Sequence, residues 1–216
     1  MTHFPRHLSC LLLVALSAVA PAVHAERPMF EITPFGGYRM GGAFDTQETA
    51  TEASKSMDLE DGSSWGVDLG LYRDPGSFYE LLYSTQTVDL DSSDPGYGGV
   101  EVTTEYYHFG GTLIFADEHW VVPYFSFTAG ATMFDASGGY ESDTKFSVSM
   151  GTGLRLPFTE HLAATLGVRG YLTFVSSDSD IFCVSQPAAG QSGCLLKTSG
   201  ETFFQGEATA GLTLRF

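Results

Sequence analysis

From residue 30 onward, apolar positions alternate with small or polar ones, and this alternation breaks and resumes along the chain. The alternating segments run 30–44, 64–73, 78–89, 101–115, 121–135, 143–157, 162–176 and 201–216. A period of two belongs to a β-strand, whose successive side chains point to opposite faces. No segment sustains a helical period, and several close into clusters of Gly, Asp or Ser, as strands do. The connections alternate as well. Those at 74–77, 116–120 and 158–161 are short, whereas 45–63, 90–100, 136–142 and 177–200 are long and polar. The pattern predicts an all-β, eight-stranded antiparallel up-and-down barrel.

The two faces of the strands differ in character. In the last segment Phe204, Gly206, Ala208, Ala210, Leu212, Leu214 and Phe216 share one face, opposite Phe203, Gln205, Glu207, Thr209, Gly211, Thr213 and Arg215. Across the segments the polar face carries Glu31, Asp68, Glu80 and Glu207 against Arg39, Arg155, Arg169 and Arg215. A soluble barrel would turn its apolar face inward. Balanced charges in mid-strand suit the reverse arrangement, because an eight-stranded barrel has an interior just filled by side chains. An unpaired charge there costs several kcal/mol. The expectation is a transmembrane barrel, polar inside and apolar outside, with its four acids paired to its four arginines. Phe78, Tyr79, Phe115, Trp120, Phe158 and Phe216 are expected in one interfacial girdle near the short turns, and Phe44, Phe134, Phe146 and Phe174 in another towards the long loops. Pro34 and Pro123, which lack an N–H, belong near the short-turn ends.

Ahead of the barrel, Arg6 and His7 precede an apolar run over 8–20, and Val23-His24-Ala25 offers a small-x-small pattern before Glu26. This reads as a cleaved secretory signal peptide over 1–25, leaving 26–216 as one barrel domain. Export favours a disulfide between the two remaining cysteines, Cys183 and Cys194, within the fourth long connection. The net charge of −16, from 26 Asp+Glu against 10 Lys+Arg, is the opposite of a nucleic-acid-binding footprint. Aromatic residues at 13% are too plentiful for an acidic disordered chain. Most of the acids lie in or beside the long connections, where the opposing bases are Lys55, Lys145 and Lys197.

The alternating end Gly211-Leu212-Thr213-Leu214-Arg215-Phe216, with the export signal and the eight segments before it, resembles the small outer-membrane β-barrel proteins of Gram-negative bacteria, of the opacity-type and outer-membrane-protein-A-like kind. The resemblance extends over the whole of 26–216. It implies a monomer in the cell outer membrane, with both termini periplasmic and the long loops extracellular. Its surroundings would be outer-membrane lipids and lipopolysaccharide, and Leu212, Leu214 and Phe216 would be read by the barrel-assembly machinery during insertion. No periplasmic domain is expected after Phe216. The implied role is structural or interactive, presenting acidic loops to an extracellular ligand.

Two other functions are compatible with such a barrel. Lipid A acyl hydrolases and transferases share this architecture, and His108 in the fourth segment is the residue on which such chemistry would turn, though a lumen histidine is the simpler reading. His119 and His161 fall in short turns beside aromatics. A narrow, low-conductance channel is the other alternative. The acidic clusters Asp58-Leu59-Glu60-Asp61-Gly62 and Asp89-Leu90-Asp91-Ser92-Ser93-Asp94 carry hard oxygen ligands but lack the EF-hand spacing, so they read as solvated loops. No cofactor or catalytic set is expected.

Overall fold

The structure, a computed structural model, describes residues 29–47, 54–91, 100–115, 120–137, 142–175, 180–183, 194–197 and 202–216. The strands among them are β1 (Phe30–Met40), β2 (Ala43–Gln47), β3 (Ser54–Leu59), β4 (Gly62–Asp74), β5 (Ser77–Asp91), β6 (Glu101–Ile114), β7 (Val122–Ala136), β8 (Asp143–Pro157), β9 (Leu162–Phe174), β10 (Asp180–Cys183), β11 (Cys194–Lys197) and β12 (Thr202–Arg215). The ring β1-β4-β5-β6-β7-β8-β9-β12 is antiparallel throughout, and β12 returns to pair with β1. Closure removes the free edges that an open sheet would present. The ends of the ring tie to each other: Met29 N donates to Phe216 O at 2.7 Å, and Phe216 N donates to Phe30 O at 2.8 Å.

The alternation has the polarity expected of it. Ser84, Thr104, Thr112, Ser126, Thr128, Ser147, Thr173 and Gln205 are buried inside the ring, while Trp65, Leu81, Phe109, Phe127, Met150, Val168 and Phe204 are exposed on its outer wall. Each barrel strand, from the 11 residues of β1 upward, reaches the roughly 9–11 residues that a tilted strand needs to cross a membrane.

Three expectations are corrected. The first segment, 30–44, is not one strand. It stops at Met40, because Gly41 and Gly42 adopt φ of 80° and 111°, a left-handed turn open to glycine. Phe44 then belongs to β2, which pairs with β3 as a hairpin, and β3 docks on the top of β5 through Asp58↔Asp91 and Leu59↔Leu90. The connections 45–63 and 177–200 therefore carry strands of their own, the second as the β10–β11 ribbon. Finally, Phe78 and Phe134 are not girdle residues. They have the parity of Glu80 and Thr132 on their strands, so they point into the lumen and are buried. Tyr79, Phe115, Trp120, Phe146, Phe158, Phe174 and Phe216 do lie exposed at the barrel's rims and outer wall.

Pro123 lies one residue into β7, but Pro34 is well inside β1. The β1–β12 ladder skips from Ile32↔Leu214 to Phe35↔Gly211 at that point, since proline has no N–H to give. The Thr33 and Thr213 hydroxyls bridge the gap from the lumen side at 2.8 Å, and Thr165 reaches Thr213 at 2.8 Å from the other flank.

Curvature sets a further requirement. At Gly110 a Cβ would run into the Phe127 carbonyl and stand 2.6 Å from Thr128 Cα, whereas at Gly206 on the outer wall it would meet nothing within 4 Å. Gly110→Val should therefore lower stability by about 1–3 kcal/mol, and Gly206→Ala should leave it unchanged. Urea-unfolding midpoints of the two variants check this; equal midpoints would refute it.

Candidate functional site

Filling a narrow lumen with polar residues favours partners for most of them, and the lumen arranges these partnerships in three tiers. Near the long loops, Arg39 from β1 and Glu207 from β12 meet at 3.0 Å, both side chains fully shielded from solvent. The same guanidinium donates to Ser84 Oγ, and Ser84 in turn donates to Glu207 Oε1 at 3.0 Å. Tyr171 donates to Glu207 Oε2 at 2.7 Å. The Tyr106 and Tyr171 rings stack with centroids 4.0 Å apart, and the Arg39 guanidinium lies 4.9 and 5.3 Å from them. Above them Tyr106 donates to Gln205, which donates to Gln86, and Gln86 donates to the Arg39 carbonyl. Phe134 and Phe203 close this end edge to face.

The middle tier centres on Glu80. Arg169 reaches its Oε1 at 2.6 Å, and the Thr112 hydroxyl binds the other carboxylate oxygen. Arg169 also donates to Ser149 at 3.0 Å, and Ser149 is linked to Thr128 at 2.6 Å. His108 completes the chain, with Nδ1 3.0 Å from Thr128 Oγ1 and Nε2 2.7 Å from Ser147 Oγ. Its ring nitrogens thus face two hydroxyls, neither of them a carboxylate, and the residue is 2% exposed. A nucleophile–base–acid relay needs the acid on the far nitrogen and a nucleophile open to substrate. Ser147, at 0% exposure, provides no such opening.

At the short-turn end, Arg155 grips Glu31 with two parallel hydrogen bonds of 2.6 and 2.9 Å. Fork-to-fork geometry of this kind is the strong form of the pair. Tyr72 donates to the same carboxylate at 2.7 Å, and Phe78 packs 4.7 Å from the Arg155 guanidinium. Arg215 approaches Glu31 more loosely, at 3.9 Å.

All eight predicted lumen charges therefore face inward, but not as four pairs. Glu31 takes two arginines, and Asp68 forms no ion pair among the described residues. Its Oδ1 is buried without a protein hydrogen-bond partner. The sequence balance of four against four could not show this, because register decides which carboxylate an arginine reaches. Equal numbers on a cylinder do not imply equal spacing along its axis. Among the lumen aromatics, the alternation of their segments puts Tyr72 and Tyr171 on the polar, inward face, where they lie, but Phe78, Tyr106 and Tyr124 were missed as lumen residues. Their shared parity with the charges was the available signal.

The remaining predicted residues fall elsewhere. Leu212, Leu214 and Phe216 are exposed on the outer wall of β12 and at its end. Cys183 and Cys194 are direct partners in the β10–β11 register. His161 is exposed in a short turn, while the 1–25 signal peptide and His119 lie outside the described residues.

The Arg39–Glu207 pair gives a sharp test. Glu207→Ala should leave a buried guanidinium uncompensated and cost about 3–5 kcal/mol, while the double variant R39M/E207L should recover most of that loss. Equilibrium unfolding in urea measures both. Equal destabilisation in the single and double variants would contradict the pairing.

A family model described as an outer membrane protein beta-barrel domain matches residues 8–216. Among solved structures, Neisserial surface protein A aligns with a TM-score of 0.54 at 13% identity, over 87% of this chain and 97% of that one. OprG from Pseudomonas aeruginosa aligns with a TM-score of 0.54 at 12% identity, over 88% and 97%. The outer membrane protein AlkL aligns with a TM-score of 0.55 at 13% identity, over 91% and 94%. At such identities the likeness is one of fold. No curated protein matches the sequence.

Proposed function

The chain belongs to the outer membrane protein beta-barrel domain family, and we propose that within the outer membrane it is a structural and surface-interaction protein acting through its acidic loops. The observation that carries this reading is the filled lumen. Paired charges and stacked tyrosines occupy the axis at both ends, so the chemistry open to a partner lies at the rims. In this reading both termini face the periplasm, the short turns line that side, and β2–β3, β10–β11 and the upper ends of β5 and β6 project outward. The outward rim is acidic: Asp89 stands directly opposite Glu101, and Asp58 opposite Asp91, in the strand registers. Like charges across a strand pair weaken that pair. Their presence at the rim suits a surface that serves an encounter more than its own stability.

Shortening 92–99 and 184–193 to tight turns tests the role. The barrel should still insert, and cells carrying it should adhere to host surfaces no better than cells lacking the protein. Adherence equal to wild type would remove the loops from the function.

The facing positions of Cys183 and Cys194 support a disulfide that clips the fourth loop. Across so short a ribbon it would stabilise the loop by about 2–4 kcal/mol. Thiol labelling of the denatured mature protein should find no reactive cysteine before reduction and both afterwards; labelling before reduction would show that the clip is not formed.

His108 belongs to the hydroxyl network of the lumen wall in this account and takes no part in lipid chemistry. His108→Ala should leave the mass profile of lipid A unchanged. A shift in acyl composition between wild type and the variant would establish the enzymatic alternative instead.

A further inference from the structure

The outer wall changes character as it rises towards the long loops. Across β4, β5 and β6 the strand register sets the outward side chains in rows. The lowest of three, Leu69, Leu81 and Phe109, is apolar and exposed. Val67, Tyr83 and Tyr107 form the next, and Trp65, Thr85 and Glu105 the one above it. The two lower rows line an apolar groove of about 340 Å³, bounded on the β7 side by Ala129. At its upper lip the Tyr83 hydroxyl donates to Glu105 Oε1 at 2.6 Å, and the Tyr107 hydroxyl donates to Oε2 at 3.3 Å. Trp65 meets Tyr83 edge to face with centroids 5.8 Å apart, and Tyr83 lies 5.1 Å from Tyr107. Among the described residues, β4 to β7 place no lysine or arginine on this face above Val67, whereas Asp89, Glu101 and Asp135 stand exposed over it.

We propose that this face is a binding site for one lipid whose headgroup carries a protonated amine, with the amine on Glu105 and an acyl chain in the groove beneath Tyr83 and Tyr107. A carboxylate on a lipid-facing wall is costly unless something neutralises it, and no side chain of this face does so. The two phenols fix the carboxylate in place without cancelling its charge. Each of its oxygens accepts one hydroxyl and keeps a lone pair for an N–H donor. An ammonium brought there also lies beside the Trp65, Tyr83 and Tyr107 rings, whose faces attract a cation. The sequence of rows, apolar below and carboxylate above, repeats the polarity of a lipid with a cationic head. An anionic headgroup would meet Glu105 and the three carboxylates over it, so charge decides which lipid stays. The site belongs to the wall and stands apart from whatever the loops meet.

The test is native mass spectrometry of the refolded full barrel, released from detergent micelles that hold equal amounts of phosphatidylethanolamine and phosphatidylglycerol with identical chains. Wild type should retain one lipid, the ethanolamine form severalfold more often than the glycerol form. Glu105→Gln, which keeps the shape and an acceptor oxygen but removes the charge, should retain the two equally. Ala129→Phe, which fills the groove and leaves Glu105 in place, should retain less of both and serves where the glutamine variant does not fold. Equal retention of the two lipids by wild type would overturn the proposal. So would an undiminished preference in Glu105→Gln, which would assign it to the exposed carboxylates above, or undiminished retention in Ala129→Phe. A dimer free of lipid would assign the face to a second copy of the chain and overturn it as well.

Discussion

Everything in this molecule depends on closing a ring of strands around charges that water cannot reach. In a lipid hydrocarbon core every backbone N–H and C=O must be paired within the protein, which leaves a closed barrel as the form a strand-built span can take. Eight strands make the ring so narrow that its interior holds side chains and little else. The charges inside must then pair with one another. Arg39 with Glu207, Arg155 with Glu31 and Arg169 with Glu80 join residues far apart in sequence, so each pair exists once the ring has closed. Closure and pairing are thus one event seen from the backbone and from the side chains.

The same constraint explains which parts of the structure could be read beforehand. A two-residue period, once assigned to one barrel strand, assigns the lumen of every other. That is why Glu31, Asp68, Glu80 and Glu207 and the four arginines all point inward as expected. Parity also carried information that aromatic character obscured. Phe78 and Phe134 sit near strand ends, as girdle residues do, yet their place in the alternation puts them inside. What parity cannot supply is height. Whether Arg215 reaches Asp68 or Glu31 depends on stagger between strands, and stagger is set by turns and closure, not by alternation. The hairpins were hidden for a related reason. The β2–β3 segments are polar like a loop, β10 and β11 are four residues each and too short to show an alternation, and the positive φ at Gly41 and Gly42 marks where the chain first leaves the wall.

A filled lumen separates the protein into regions with different tasks. The outer wall, with Trp65, Phe109, Phe127, Met150 and Phe204 exposed, is matched to lipid. The interior spends its polar groups on itself, down to the hydroxyls around His108. The acid that dominates the composition is left mainly to the long connections and the strand ends beside them, where Asp89 and Glu101 face each other on adjoining strands. A chain that is strongly acidic in total is balanced in charge within its lumen and acidic at its long-loop rim.

A lumen packed with ion pairs and stacked rings is expected to pass no current. Single-protein recording in planar bilayers addresses it directly. Wild type should give a flat baseline under applied voltage, with discrete current steps appearing once Glu207 is replaced by alanine and the upper tier loosens. Steady, reproducible conductance steps in the wild-type protein would contradict it.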